Sequence, residues 1–232
     1  MYRKCFFTLI FLIFTLFDAY SQDTNAVNFD KIIKLETAIK SQSVVLQMDY
    51  QHTHQLNAVN RFRIGYGVSL VRFRAFNDLA YTTDYAKTEN SLGLDTFQVE
   101  NAKLTAANLF LLLNYQIGPR LDVSFAIDVA GLSWGEVQRG LFASGPGDMS
   151  TRGAEAKPVK FNTALAASGA WRSQLSLKYW LYSSFGVQTG LNYWQSAYKI
   201  TESGALNGEV YTKGQLYWKI GLSYLIGGGA AR

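Results

Sequence analysis

Cysteine is almost absent: Cys5 is the only one in 232 residues, and the segment around it is expected to be removed on export. The chain left behind has no disulfide, no thiolate metal site and no cysteine nucleophile. Exported proteins with small cores often rely on disulfides, so this one needs another means of holding together, and a sheet closed on itself in lipid provides it. Long apolar runs are missing too. Nothing after Phe17 approaches the roughly 18 apolar residues that mark a membrane-crossing helix. Histidine is confined to His52 and His54, which leaves little material for acid–base or triad chemistry. Internal repeats beyond the strand period, low-complexity tracts and signs of a second domain are also lacking.

What is present is alternation. From Leu121 to Ala130 the large apolar residues Leu121, Val123, Phe125, Ile127 and Val129 alternate without a break against Asp122, Ser124, Ala126, Asp128 and Ala130. That is the period-two pattern of a β-strand. The second set contains neither Lys nor Glu, unlike a face washed by bulk water, and suits the crowded inside of a narrow barrel. The chain is 48% hydrophobic and 15% aromatic. A membrane barrel accommodates that composition because its apolar residues occupy every second position and never accumulate in a run.

The first residues read as a leader. Arg3 and Lys4 precede an apolar stretch from Cys5 to Phe17, followed by Asp18, Ala19, Tyr20 and Ser21. The stretch is too short for a spanning helix, which needs roughly 20 residues, and the small-x-small ending fits a signal peptide. Residues 1–21 are therefore expected to be a cleaved signal and 22–232 a single barrel domain.

Alternation as clear as that of Leu121–Ala130 recurs over 44–51, 61–70, 109–116, 175–181, 186–194 and 215–224, making seven strands. Residues 29–40 support two readings. Ile33, Leu35, Thr37 and Ile39 alternate with Lys34, Glu36, Ala38 and Lys40 as in a strand, while Phe29, Ile32, Ile33 and Ile39 also fit one side of a helix. An even strand number favours the strand. Connections alternate between short turns, such as Gly118-Pro119-Arg120, and long segments at 77–103, 135–158 and 201–212. Short turns belong to the periplasm and long loops to the exterior. Residues 227–232 read as a flexible tail, and 159–170 as a strand extension standing above the membrane. Tyr115, Trp134, Trp171, Trp194, Tyr198 and Tyr224 sit at or near strand ends, where an interfacial aromatic girdle belongs. The fold expected is all-β: a transmembrane antiparallel up-and-down barrel of eight strands.

On Arg61–Leu70 (RFRIGYGVSL), Phe185–Tyr193 (FGVQTGLNY) and Leu216–Ile226 (LYWKIGLSYLI), the chain resembles the small outer-membrane β-barrels of the OmpA/OmpX-like kind found in Gram-negative bacteria. The resemblance implies an outer-membrane location and insertion by the barrel assembly machinery. It covers nearly the whole chain after the leader, but six residues follow Ile226 where such barrels usually end on an aromatic residue. Barrel enzymes that cut proteins or trim lipid A share this topology. Their chemistry needs His beside Ser, Asp or Glu near the outer rim, whereas His52 and His54 fall at the periplasmic end of their strand.

Charge is spread unevenly. The three long loops hold ten acids (Asp78, Asp84, Glu89, Asp95, Glu100, Glu136, Asp148, Glu155, Glu202, Glu209) and five bases (Lys87, Lys103, Arg139, Arg152, Lys157), so the basic surplus behind a pI near 9.2 lies elsewhere. In an exported protein that surplus is no argument for nucleic acid. Parity places Asp49, Arg61, Arg63, Asp122, Asp128, Lys178 and Lys219 on the lumen face. Charges in so narrow a space must be paired or wetted, which describes either a salt-bridge plug or a narrow ion path. Arg72 and Arg74 continue the lipid-facing parity of Phe62–Leu70 past one apolar band, so they are expected above it, in reach of lipopolysaccharide phosphates. His52 and His54 share a strand face but have no evident third metal ligand, and Asp84, Glu89 and Asp95 match no calcium pattern. No cofactor, no catalytic set and no metal are expected. The function expected is non-enzymatic: a monomer with a structural, adhesive or surface-interaction role through its loops, whose loops could hold an extracellular ligand. The alternatives are a narrow pore or small-solute transporter and a soluble periplasmic ligand-binding barrel.

Overall fold

The alternation that runs through the sequence closes into a barrel in the computed structural model, which describes residues 29–55, 61–82, 96–143, 151–163, 169–201 and 210–227. The strands are β1 (Phe29–Lys40), β2 (Ser43–Gln55), β3 (Phe62–Thr82), β4 (Thr96–Gly118), β5 (Leu121–Trp134), β6 (Gln138–Ala143), β7 (Thr151–Pro158), β8 (Phe161–Asn162), β9 (Trp171–Trp180), β10 (Phe185–Ile200) and β11 (Val210–Gly227). Every pairing is antiparallel. Eight strands form the main ring, in the order β1-β2-β3-β4-β5-β9-β10-β11. It closes where Leu35 meets Leu222 on the β1–β11 seam. Residues 29–40 are thus a strand paired on both sides and not a helix.

Outward positions of this ring carry Leu35, Met48, Leu70, Leu111, Phe125, Leu177, Ile220 and Leu222, all exposed, while inward positions over much of its height are polar, with aromatics such as Phe110 and Trp180 among them. A barrel that is apolar outside and polar inside is built for lipid, because a closed sheet leaves no backbone group unpaired and the belt replaces water with acyl chains. Eight strands around a lumen filled by side chains is the architecture of small outer-membrane barrels. Tyr115, Trp134 and Tyr224 lie outside, at the ends of the belt. Trp194 and Tyr198 do not join that girdle. Their side chains point inward and are only 1% and 0% exposed, because β10 carries its inward row beyond the belt.

A second, smaller ring stands on the first. The β1–β2 hairpin turns back at Ser41 and Gln42, and above it β3 meets β11 directly, Thr82 opposite Tyr211. The other members are the ends of β4 and β10 and the β6–β7 hairpin, giving the order β3-β4-β6-β7-β10-β11. The short β8 pairs with the top of β5. Here the polarity is reversed. Phe97, Val99, Phe142, Ala154, Ala156, Tyr198, Ile200 and Tyr211 point inward and are buried, whereas Gln98, Glu100, Lys103, Arg139, Lys157 and Lys199 are exposed outside. The switch on β3 falls at Asn77, the one described non-glycine residue with positive φ (51°). Phe76 faces out and Asp78 is buried, a reversal that an αL step at Asn allows at low cost.

This ring redraws the three long loops. Asn77–Thr82 and Thr96–Lys103 are strand, 135–158 contains the β6–β7 hairpin, and β11 starts at Val210. A rise in charge and polarity marks where a strand leaves lipid and not where it stops pairing. The expected signal peptide (1–21) and the tail beyond Gly227 lie outside the described residues, as do the three acids Asp84, Glu89 and Asp95.

Candidate functional site

Each inward residue of the main ring is placed by its strand's parity, and together they fill the lumen in layers. Five acids (Asp30, Glu36, Asp49, Asp122, Asp128) and five bases (Lys34, Arg63, Arg172, Lys178, Lys219) are buried there. The equal count matters because an unbalanced charge held away from water costs several kcal/mol.

Arg172, fully buried, is the centre of the widest group. Its Nη2 lies 3.1 Å from Asp49 Oδ1 and its Nε 2.9 Å from Asp128 Oδ1. Its backbone N–H donates to the other oxygen of Asp128 at 3.2 Å, and Asn108 Nδ2 donates to that same oxygen at 2.7 Å. The Phe110 ring supports the guanidinium, with Cζ 5.0 Å from its centroid, a cation–π contact within the usual range. Glu36 holds a second group. Lys219 Nζ is 3.0 Å from both its oxygens and 2.7 Å from Gln174 Oε1. Gln47 joins the groups by donating to Glu36 at 2.7 Å and Asp49 at 2.8 Å, and Gln188 donates to Glu36 from β10, two strands away around the ring.

Nearer the end of the barrel with the short turns, Asp122 lies 3.6 Å from Lys178 Nζ and accepts the Trp180 indole N–H at 2.8 Å. Lys178 sits over that indole, 4.6 Å from the ring centre. Arg63 pairs with Asp30 at 2.6 Å near the strand ends. On the other side of the Arg172 layer the lumen becomes apolar. Val45, Val71, Phe73, Leu104, Ala106 and Trp194 pack together, with Phe73 and Trp194 centroids 6.0 Å apart. This packing continues into the upper ring through Phe97 and Phe142 against Tyr211.

Of the seven residues that parity assigned to the lumen, Asp49, Arg63, Asp122, Asp128, Lys178 and Lys219 point into it. Arg61 does not. It is exposed, and its Nη1 donates to the Ile117 carbonyl at 3.2 Å. The residue precedes the first paired position of β3, so no barrel wall encloses it. Arg172, Glu36, Lys34 and Asp30 complete the layers and were not among the seven. Arg172 shares the parity of Lys178 on a strand that starts four residues earlier than alternation alone marks. Glu36 and its β1 neighbours needed that element to be a strand.

Arg72 and Arg74 lie exposed on the outer face, opposite Leu46 and Val44 of β2 and opposite Thr105 and Lys103 of β4. His52 and His54 are also on an outer face, both stacked on Tyr66, and His52 Nε2 is 2.7 Å from the Tyr50 hydroxyl. The described residues contain no group of three or more His, Cys, Asp and Glu side chains able to hold a metal ion. Asp78 is inward in the upper ring, where its Oδ1 is 2.7 Å from Lys213 Nζ.

No family model matches the chain, and no curated protein does. Solved structures similar to it include Ail, the attachment invasion locus protein of Yersinia pestis (11% identity, 87% of this chain and 100% of that one, TM-score 0.37). A major outer membrane protein from Thermus thermophilus gives 10% identity over 87% and 100% of the two chains at TM-score 0.44. The toluene transporter TbuX of Ralstonia pickettii gives 8% identity over 87% and 74% at TM-score 0.28.

Proposed function

We propose that this is a non-enzymatic, non-conducting outer-membrane barrel that acts through surface contact, holding the smaller ring outside the cell as a structural or adhesive platform. It is inserted by the barrel assembly machinery and works as a monomer. The observation that carries this reading is the change of filling along the lumen, from balanced ion pairs to packed Phe73, Trp194 and Leu104. An ion path needs polar groups and water from end to end, and an apolar constriction stops conduction by dewetting. The absence of catalysis rests on the same geometry, since the lumen acids and bases face one another inside a closed wall and not a cleft open to substrate. The polar exterior of the smaller ring, with Gln98, Arg139, Glu155 and Lys199, is the surface available to partners.

Planar-bilayer recording of the purified protein tests the closed lumen: no stepwise current is expected, and discrete steps would overturn it. The contact role is tested on cells displaying the chain, with Gln138–Pro158 replaced by a short Gly/Ser link. Surface binding should be lost while the barrel keeps its heat-modifiable migration on a gel, and unchanged binding would remove the smaller ring from the account.

A further inference from the structure

The strongest charged feature outside the lumen is on the outer wall, where the belt gives way to the smaller ring. Lys103 of β4 is directly opposite Arg74 of β3, and two residues nearer the belt Arg72 is opposite Thr105, which is in turn opposite Trp134 of β5. Arg72, Arg74 and Lys103 are all exposed. None of the three is in an ion pair among the described residues. Like charges directly opposite each other across an antiparallel pair destabilise a sheet, so the Arg74–Lys103 pair has no rationale within the barrel itself.

Height decides what can reach the cluster. Trp134, half-exposed on the same face, is the residue type that settles at the headgroup level. On β3 the outward row is apolar from Phe62 to Leu70 and becomes cationic at Arg72 and Arg74. The three cations therefore stand where acyl chains end and lipid phosphates begin. Guanidinium groups match phosphate oxygens two at a time, while an ammonium supplies a point charge beside them.

From this placement we infer that Arg72, Arg74 and Lys103 form a binding site for the phosphate groups of an outer-leaflet glycolipid, with Trp134 against the adjoining apolar part. The inference rests on the outer-membrane reading but not on the lumen being closed, so conductance and lipid binding fail independently. The lipid holds the like charges together, and the barrel is thereby fixed in depth.

The test uses the full-length protein in detergent, titrated with lipid A carrying both phosphates and with dephosphorylated lipid A, read by native mass spectrometry. The triple variant Arg72→Gln, Arg74→Gln, Lys103→Gln should bind phosphorylated lipid A at least about tenfold more weakly than the parent. The parent should lose a similar factor when the lipid lacks its phosphates. Gel migration before and after heating establishes that the variant is folded, and Arg72→Lys/Arg74→Lys, which keeps charge but not the fork, should fall between. Equal binding of the triple variant and the parent overturns the site, as does indifference to dephosphorylation. Full competition by inorganic phosphate overturns the lipid assignment in favour of free anion. A matching loss in Lys157→Gln/Lys199→Gln, a second cross-strand cation pair in the smaller ring, would overturn it in favour of non-specific charge.

Discussion

Arg172 concentrates the consequences that a single side chain can have in this barrel. It is the only base shared by two buried acids, Asp49 and Asp128, among the described ion pairs. Replacing it with Met takes the shared ion-pair partner from both Asp49 and Asp128 and leaves the lumen one negative charge in excess, and breaking a buried ionic group in this way costs about 3–5 kcal/mol. Arg172→Met should therefore lower the midpoint of urea unfolding in lipid vesicles markedly, whereas the double change Arg172→Met/Asp128→Asn should recover part of the loss. Gly67 has a related role. A methyl group there would run into the Phe110 ring and the Tyr50 carbonyl, so Gly67→Val should displace the aromatic support of Arg172. A destabilisation of about 1–3 kcal/mol is expected from overpacking, measured in the same unfolding assay. At this scale most of the lumen was legible, because parity is a local property: Asp122 and Asp128 declare their face from Leu121–Ala130 alone. Arg172 and Glu36 were less legible, since each depended on where a strand began, which tertiary pairing decides.

Elements tell a different story on the two sides of the membrane boundary. Within the belt, alternation between lipid-facing Leu or Ile and inward Ser, Gln or Asp is nearly unambiguous. Above it, both β3 and β4 continue for several residues with the opposite sense, and Asp78, Glu100 and Glu155 read as loop residues because acidic side chains signal water. Glu100 and Glu155 do lie on the outer face, while Asp78 is buried inside the smaller ring, yet all three belong to paired strands. Sequence periodicity marks the medium outside a strand better than it marks strand length. The β3–β11 seam offers a direct measurement. Lys213→Met would leave Asp78 buried without its ammonium partner 2.7 Å away, a loss of about 3 kcal/mol or more by the same buried-charge argument. Because this contact is confined to the smaller ring, added protease should cleave near the seam in the variant while the main ring keeps its heat-modifiable migration. Cleavage indistinguishable from the parent would show that the ion pair does not hold the seam.

For the whole molecule, the two rings obey one rule in opposite directions: the face against the less polar neighbour is apolar. In the main ring that neighbour is lipid, and in the smaller ring it is the interior. The two interiors meet at the layer containing Phe73 and Trp194, so this layer should limit passage through the barrel. Phe73→Ala and Trp194→Ala each remove a large buried side chain, with an expected cost of about 3–5 kcal/mol. If the barrel survives the pair, the double variant should show small stepwise currents in a planar bilayer that the parent lacks. Silence in a folded double variant would place the barrier in the ion-paired layer instead.

The early turn of the β1–β2 hairpin has a consequence for how the chain is made. Because that hairpin stops at Ser41 and Gln42, the smaller ring is closed by Tyr211 and Thr212 against Thr82 and Tyr81, residues separated by slightly more than half the chain. The smaller ring cannot be sealed until the last strand has arrived. Contacts of such wide sequence separation form slowly, so the smaller ring should be the last part of the barrel to close. A chain halted before β11 would leave two open seams at once, between β1 and β10 in the main ring and between β3 and β10 in the smaller one.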